Sequence, residues 1–223
     1  MEIYKIKDFV EDGKPTLKIT DLKQGVKNPD RVNIFVNGKF SFSLDVAQVV
    51  DYKLKVGKIV SDEELVELKH ASEFGKLYQR TLEWVLLRPR SEKETRDYIY
   101  KKVFEKQLEK EYIDNIIDEL KSKKYLDDNR FAEWWVENRF VKKGVSQKRL
   151  RMELLKKGIS KSIIDEVLDA RDDEAEIEKI IAKKRMRYAD DEKLIQYLCR
   201  QGFSFELARE KVRSYGTDSQ SLE

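Results

Sequence analysis

The sequence predicts a mainly α protein: tandem three-helix repeats forming an elongated, curved body, with a small N-terminal β-hairpin/sheet module ahead of them. Two observations predict it. Before about position 60 apolar and polar residues alternate with period two, and from Ser61 onward apolar residues recur at helical spacing. Within the helical part, two segments 44 positions apart, LLKKGISKSIIDEVL and LCRQGFSFELAREKV, repeat one turn. Only three prolines and nine glycines interrupt 223 residues, which leaves room for long helices.

The N-terminal module is placed at residues 1–72. Its strongest signal is RVNIFVNGKFSFSLD. Val32, Ile34 and Val36 alternate with Asn33, Phe35 and Asn37, and Phe40, Phe42 and Leu44 alternate with Ser41 and Ser43. Asn37-Gly38 between the runs tolerates the positive φ angles of a type I′ turn. IYKIKDF and PTLKIT are expected to be further strands that complete a small sheet, because a hairpin alone is marginally stable.

Helices begin with Ser61 and Glu64, spaced as a capping box, and LYQRTLEWVLLRP continues as a helix that stops near Pro89. Ser91 and Glu94 repeat the capping-box spacing. The two matching segments then share one design: Leu154 with Leu198, Gly158 with Gly202, Ser160 with Ser204, Ile163 with Leu207, and Leu168 with Val212. Leu150/Leu154 and Leu194/Leu198 make one helix face. The glycine past the helix end takes a left-handed conformation, Ile159 or Phe203 folds back on the last turn, and the serine caps the next helix. A weaker first copy matches IIDEL at 116–120 to IIDEV at 163–167, and SEKETRDYI to SQKRLRMEL, but KKVFEKQLEKEY stands where its corner glycine would be. Repeats are therefore expected at 77–125, 129–171 and 174–216, with a tail at 217–223. Stacked repeats bury each other's apolar faces.

KYLDDNRFAEWWVENRF, from Lys124 to Phe140, places Phe131, Trp134, Trp135 and Asn138 at i, i+3, i+4 and i+7. The corresponding helix of the next repeat offers Ile177, Ile180 and Ile181. Isoleucine replaces a core residue but not a base-stacking aromatic, so these aromatics are read as core, with one indole edge left open for a rim position. Asp127 and Asp128 stand at the helix start, where acids complement the dipole and cap free N–H groups.

Net charge is only +3, which implies no partner by itself, but charge is segregated. From Arg139 to Lys161 there are nine bases and one acid; from Asp165 to Glu178 there are eight acids and one base. Either polarised binding faces or two solvated helix surfaces follow from that. The binding candidates are Lys142, Lys143, Lys148, Arg149, Arg151, Lys156 and Lys157, with a second cluster, Lys183, Lys184, Arg185 and Arg187, at the equivalent helix end of the next repeat.

The inventory for catalysis is poor, and no enzyme, cofactor, metal or catalytic residue is expected. One histidine, His70, lies on a charged stretch; one cysteine, Cys199, is expected buried and inert. There is no glycine-rich phosphate loop and no zinc-type Cys/His spacing. Asp127/Asp128, Asp172/Asp173 and Asp190/Asp191 sit at helix borders, where capping accounts for them. The start MEIYKIKDF lacks an apolar signal core, and a lone cysteine suits a reducing compartment, so a soluble cytoplasmic protein without membrane contact is expected.

YLDDNRFAEWWV, preceded by IIDELKSKKYL and followed by GVSQKRLRMELLKKGIS, resembles the RecX family of bacterial recombination regulators. Tyr125, Asp127, Asp128, Arg130, Phe131 and Ala132 match its central motif, as do Gly144, Leu150, Leu154, Lys157, Gly158 and Ile159. RPRSEKETRDYI looks like the family's first helical unit, and the hairpin with VDYKLKVGKIVSDEELVEL looks like the N-terminal extension of its longer members. The resemblance implies a non-enzymatic protein that binds the RecA recombinase on single-stranded DNA and modulates, in the inhibitory direction, ATP hydrolysis and strand exchange. It implies action as a monomer within the filament groove, with non-specific contact to double-stranded DNA left open. The matched residues are architectural: Tyr125, Asp127, Asp128, Phe131, Trp134, Trp135, Gly158, Ser160, Gly202 and Ser204 hold the repeats, and the basic clusters meet either DNA phosphates or an acidic recombinase surface. Two rivals stand beside this: a helix-turn-helix transcription factor, since LLKKGISKSIIDEVL has that form, and a purely structural scaffold. Asp165 and Glu166 on the second helix count against the former.

Overall fold

A computed structural model of the chain describes residues 10–11, 14–26, 28–188 and 190–220, and their side chains except at 10–11, 14–15, 140–143 and 216–220. The proposed strand IYKIKDF, residues 3–9, lies outside the described residues. Contacts divide the chain into two units, Met1–Thr81 with Lys106–Tyr112, and Leu82–Glu105 with Ile113–Glu223.

In the first unit, β1 (Val10–Glu11) pairs antiparallel with β2 (Lys14–Pro15). β3 (Leu17–Gln24), β4 (Arg31–Val36), β5 (Lys39–Asp45) and, after α1 (Val46–Asp51), β6 (Ile59–Val60) form an antiparallel sheet in the order β5-β4-β3-β6. Asn37 and Gly38 turn the expected hairpin at φ 48° and 79°. Alternation delivers Ile19, Ile34, Val36, Phe42 and Leu44 to one face, where they pack with Leu54, Val60 and Leu68. Phe40 departs from its expected place. A register shift between Ile34/Phe42 and Phe35/Phe40 turns it to the outer face, where it is exposed and meets Phe35 edge-on at 6.0 Å. One extra residue in a strand reverses every side chain beyond it.

α2 (Asp62–Leu86) is a continuous helix of 25 residues that carries the chain from the first unit into the second. Its serine cap forms, with the Glu64 amide donating to Ser61 Oγ at 3.1 Å, but Glu64 pairs with Lys58 Nζ at 2.6 Å in place of closing a box. Ser91 behaves likewise, accepting from the Glu94 amide at 3.1 Å while the Glu94 carboxylate accepts from Arg88 and Lys157. A cation within reach outcompetes a backbone amide for a carboxylate. A full capping box forms at Asp45 and Gln48 of α1.

The second unit continues with α3 (Glu92–Lys106), α4 (Glu111–Ser122), α5 (Asp128–Lys143), α6 (Gln147–Lys156), α7 (Lys161–Leu168), α8 (Asp173–Lys184), the 3₁₀ turn η1 (Arg185–Arg187), α9 (Asp191–Arg200) and α10 (Phe205–Gln220). α5–α7 close on one apolar cluster containing Phe131, Val145, Leu150, Leu154, Ile164 and Leu168. α8–α10 close on another containing Ile177, Ile181, Leu194, Leu198, Phe203 and Val212.

The corners are Schellman motifs. Gly158 at φ 82° and Gly202 at φ 99° follow α6 and α9. The Gly158 amide donates to Leu155 O at 3.0 Å and the Ile159 amide to Leu154 O at 3.1 Å; the Gly202 and Phe203 amides donate to Cys199 O and Leu198 O at 2.9 and 3.3 Å. Ser160 Oγ then accepts from Ile163 N and Ser204 Oγ from Leu207 N, which starts α7 and α10. The glycine-free corner after α3 is turned by Gln107, which takes φ 55° itself.

Candidate interaction surface

Successive triplets join through a repeated device. Asp127 caps its own helix, accepting from the Asn129 and Arg130 amides at 2.8 and 3.2 Å. Asp128 reaches back, and its Oδ1 accepts from the Glu92 amide at the start of α3 at 2.8 Å. Asp172 and Asp173 repeat the pair: Asp172 caps α8, while Asp173 Oδ1 accepts from the Gln147 amide at the start of α6 at 2.8 Å. The first turn of a helix has amides without intrahelical acceptors, and here the next triplet supplies one. The corners dock at the same seams: a Cβ on Gly158 would lie 2.7 Å from Lys93 Cβ, and one on Gly202 2.8 Å from Arg149 Cβ.

Burial pushes the Asp128 and Asp173 carboxyls up, against the pull of the amide each accepts from. Since the folded chain then holds these protons more tightly than the unfolded one, their contribution to stability falls as pH rises from the ordinary aspartate value through the raised one. Asp128→Asn with Asp173→Asn keeps an acceptor oxygen and removes the charge. Urea titrations across that window are expected to show a shallower loss of stability with rising pH than in the wild type, and a steeper loss would contradict this. Alanine at either position removes the cap at about 1 kcal/mol.

Phe131 is fully buried, and Trp134 and Trp135 pack partly buried against the same cluster, so the aromatic stripe is a core face with two indoles at its edge. Trp135 Nε1 donates to Glu153 Oε2 at 3.0 Å, and Arg139 and Arg149 converge on the same carboxylate at 2.9 and 3.4 Å. Arg139 and Lys157 lie 5.0 and 5.1 Å from the Trp135 ring, and Arg88 5.2 Å from Trp134. Lys157 Nζ meets Glu94 at 2.5 Å and Arg88 meets it at 3.1 Å. Burial raises the Glu94 carboxyl, but those two cations together hold it below the usual glutamate range. The indole faces are thus covered by the protein's own cations.

The basic candidates divide. Arg149 donates to Arg200 O as well as to Glu153, Arg151 pairs with Asp165 at 2.5 Å, Lys157 with Glu94, and Arg185 with Asp191. Lys184 lies 5.9 Å from the Tyr197 ring. Lys148, Lys156, Lys183 and Arg187 are exposed and form no ion pair within 4.0 Å among the described residues. Lys142 and Lys143 lie where side chains are not described. Glu153 is the one acid counted within the basic stretch, whereas Glu94, which holds Lys157, lies outside it and carries no signal in that count.

Cys199, expected buried, is only partly so: it packs against the edge of the α8–α10 cluster beside the fully buried Leu198. His70 Nδ1 lies 3.0 Å from Glu109. Among the described residues no group of three or more His, Cys, Asp or Glu is placed to hold a metal ion, and no helix is long and apolar enough to cross a membrane.

Family models match at residues 17–61, the regulatory protein RecX N-terminal domain, and at 127–168, the RecX second three-helix domain. The regulatory protein RecX of Listeria monocytogenes (serotype 4b, strain F2365) is 31% identical over 202 residues, covering 86% of this chain and 74% of that one. That of Oceanobacillus iheyensis is 31% identical over 200 residues, covering 83% and 72%. A crystal structure of regulatory protein RecX superposes with a TM-score of 0.67 at 24% identity, over 89% of this chain and 99% of that one. A RecX structure from Lactobacillus salivarius gives 0.53 at 23% identity, over 65% and 97%.

Proposed function

The chain belongs to the RecX family of regulatory proteins, and from that we propose that it binds RecA filaments on single-stranded DNA and lowers their ATPase and strand-exchange activity, without itself catalysing a reaction. It acts as a monomer in the cytoplasm. The observation that carries this beyond the family is the set of exposed cations without ion pairs on successive triplets: Lys148 and Lys156 on α6, then Lys183 and Arg187 at the end of α8 and in η1. Cations on neighbouring repeats suit a polyanionic filament, whose charge also repeats, better than a compact ligand.

The helix-turn-helix alternative is disfavoured by the acids around α7. Asp165 is tied to Arg151, and Glu166 shares a depression with Glu133 and Glu137. A helix entering a DNA groove beside those carboxylates meets phosphate repulsion.

Recombinase ATPase on single-stranded DNA, measured with added protein over a salt series, tests the proposal. Lys148→Glu, Lys156→Glu, Lys183→Glu and Arg187→Glu together are expected to weaken filament binding roughly tenfold or more and to flatten its salt dependence. Unchanged affinity would exclude the basic edge. Enrichment of one palindromic duplex from a random pool would favour the transcription factor.

A further inference from the structure

Arg88, Pro89 and Arg90 follow α2, Lys124 and Tyr125 follow α4, and Asp127 and Arg130 open α5. These three segments close on one cavity of about 120 Å³. Its walls carry four cations, Arg88, Arg90, Lys124 and Arg130, against one carboxylate, Asp127. Asp127 is engaged by two amides of its own helix, and Arg88 by Glu94. Arg90, Lys124 and Arg130 form no ion pair within 4.0 Å among the described residues.

Arg90 is held by stacking, not by an acceptor. Its guanidinium lies 3.8 Å over the Trp84 ring, which stacks in turn on Tyr98 at 4.4 Å. Its Nε is buried without a hydrogen-bond partner. Burial, reinforced by the neighbouring Arg88 charge, pulls the Arg90 pKa down against the opposing pull of Glu94. Like charges gathered around a cavity repel one another until an anion neutralises them. That space exceeds the roughly 10–15 Å³ one water needs, which leaves room for an oxyanion. The cations come from three separate segments. That spread suits a tetrahedral group with oxygens in several directions better than a planar carboxylate, which one guanidinium fork satisfies.

We propose that this cavity binds one phosphate group of a single-stranded nucleic-acid backbone, with the partly exposed Tyr125 at its rim. The site shares no residue with the set Lys148, Lys156, Lys183 and Arg187, and it rests on the preceding proposal only in expecting single-stranded DNA.

The test is fluorescence anisotropy of a labelled oligothymidylate with the full chain at several salt concentrations. Lys124→Gln with Arg130→Gln alters exposed side chains, and Arg90→Gln is a second, independent variant; circular dichroism verifies that both fold. Each is expected to weaken oligothymidylate binding roughly fivefold and to lower the slope of log K against log salt by ~0.7, one single-strand phosphate contact. Inorganic phosphate is expected to compete, and polyglutamate of equal charge is not. Wild-type affinity and slope in both variants would overturn the site, as would polyglutamate competing as well as unlabelled oligothymidylate. So would inorganic phosphate that binds without displacing the oligonucleotide. Loss of filament ATPase modulation in the four-site charge reversal, with oligothymidylate binding unaffected by the cavity variants, would overturn this site and leave the filament proposal standing.

Discussion

Gly144→Ala is expected to cost the helical unit about 3–5 kcal/mol, the sum of backbone strain and overpacking. Gly144 ends α5 at φ 59° and ψ 119°, outside the small left-handed region open to residues with a Cβ. An added Cβ would lie 2.5 Å from Ile180 Cγ1 and 2.6 Å from its Cδ1. Ile180 is buried in the cluster of α8–α10, so its side chain has no solvent to swing into. Relief therefore requires α8 to move from the end of α5. Urea denaturation gives the size of the loss. A double-mutant cycle with Ile180→Ala separates the two causes, because alanine lacks both Cγ1 and Cδ1, which relieves the steric part and leaves the backbone part in place. An unfolding free energy within about 0.5 kcal/mol of wild type, a shift on the order of ordinary surface substitutions, would show that the seam yields freely.

Phe131→Ala is the second large effect, about 3–5 kcal/mol for a buried phenylalanine. Its ring is fully enclosed, 6.0 Å from that of Trp134 and 5.7 Å from that of Trp135. Removing it leaves both indoles without a floor. Trp135 would then compete between the cavity and its bond to Glu153, and the Arg139–Glu153–Arg149 group would lose its backing. Tryptophan emission should shift to the red in the folded baseline, beyond what a simple loss of stability produces. Trp134→Phe is expected to cost less, because that ring is only partly buried and lies beside the Arg88 guanidinium rather than inside the core. Equal costs at the two positions would mean that the stripe is a surface platform and not a core face.

Periodicity and turn chemistry made the repeats legible. Gly158-Ile159-Ser160 and Gly202-Phe203-Ser204 are local codes: the residues that set the φ angle, the fold-back contact and the next cap are adjacent in sequence. The corner at Gln107 was not legible, since a polar residue entering the left-handed region carries no marker comparable to glycine. Asp128 and Asp173 could be placed at helix starts, but their acceptor role spans 36 and 26 residues, beyond any local pattern. The pairing of the basic candidates was hidden for the same reason. Arg151 and Lys157 look unopposed along the chain, yet their acids arrive from α7 and α3. The cavity around Arg90 escaped notice because Arg88, Lys124 and Arg130 are scattered singly among ordinary helix ends.

Because Asp128 and Asp173 each complete the helix start of the preceding triplet, the first two triplets are each finished by their successor. Such a chain has a direction of assembly. Deleting a triplet from its far end strips a carboxylate from the one left behind, whereas inserting a whole triplet at the Asp-Asp junction brings its own replacement.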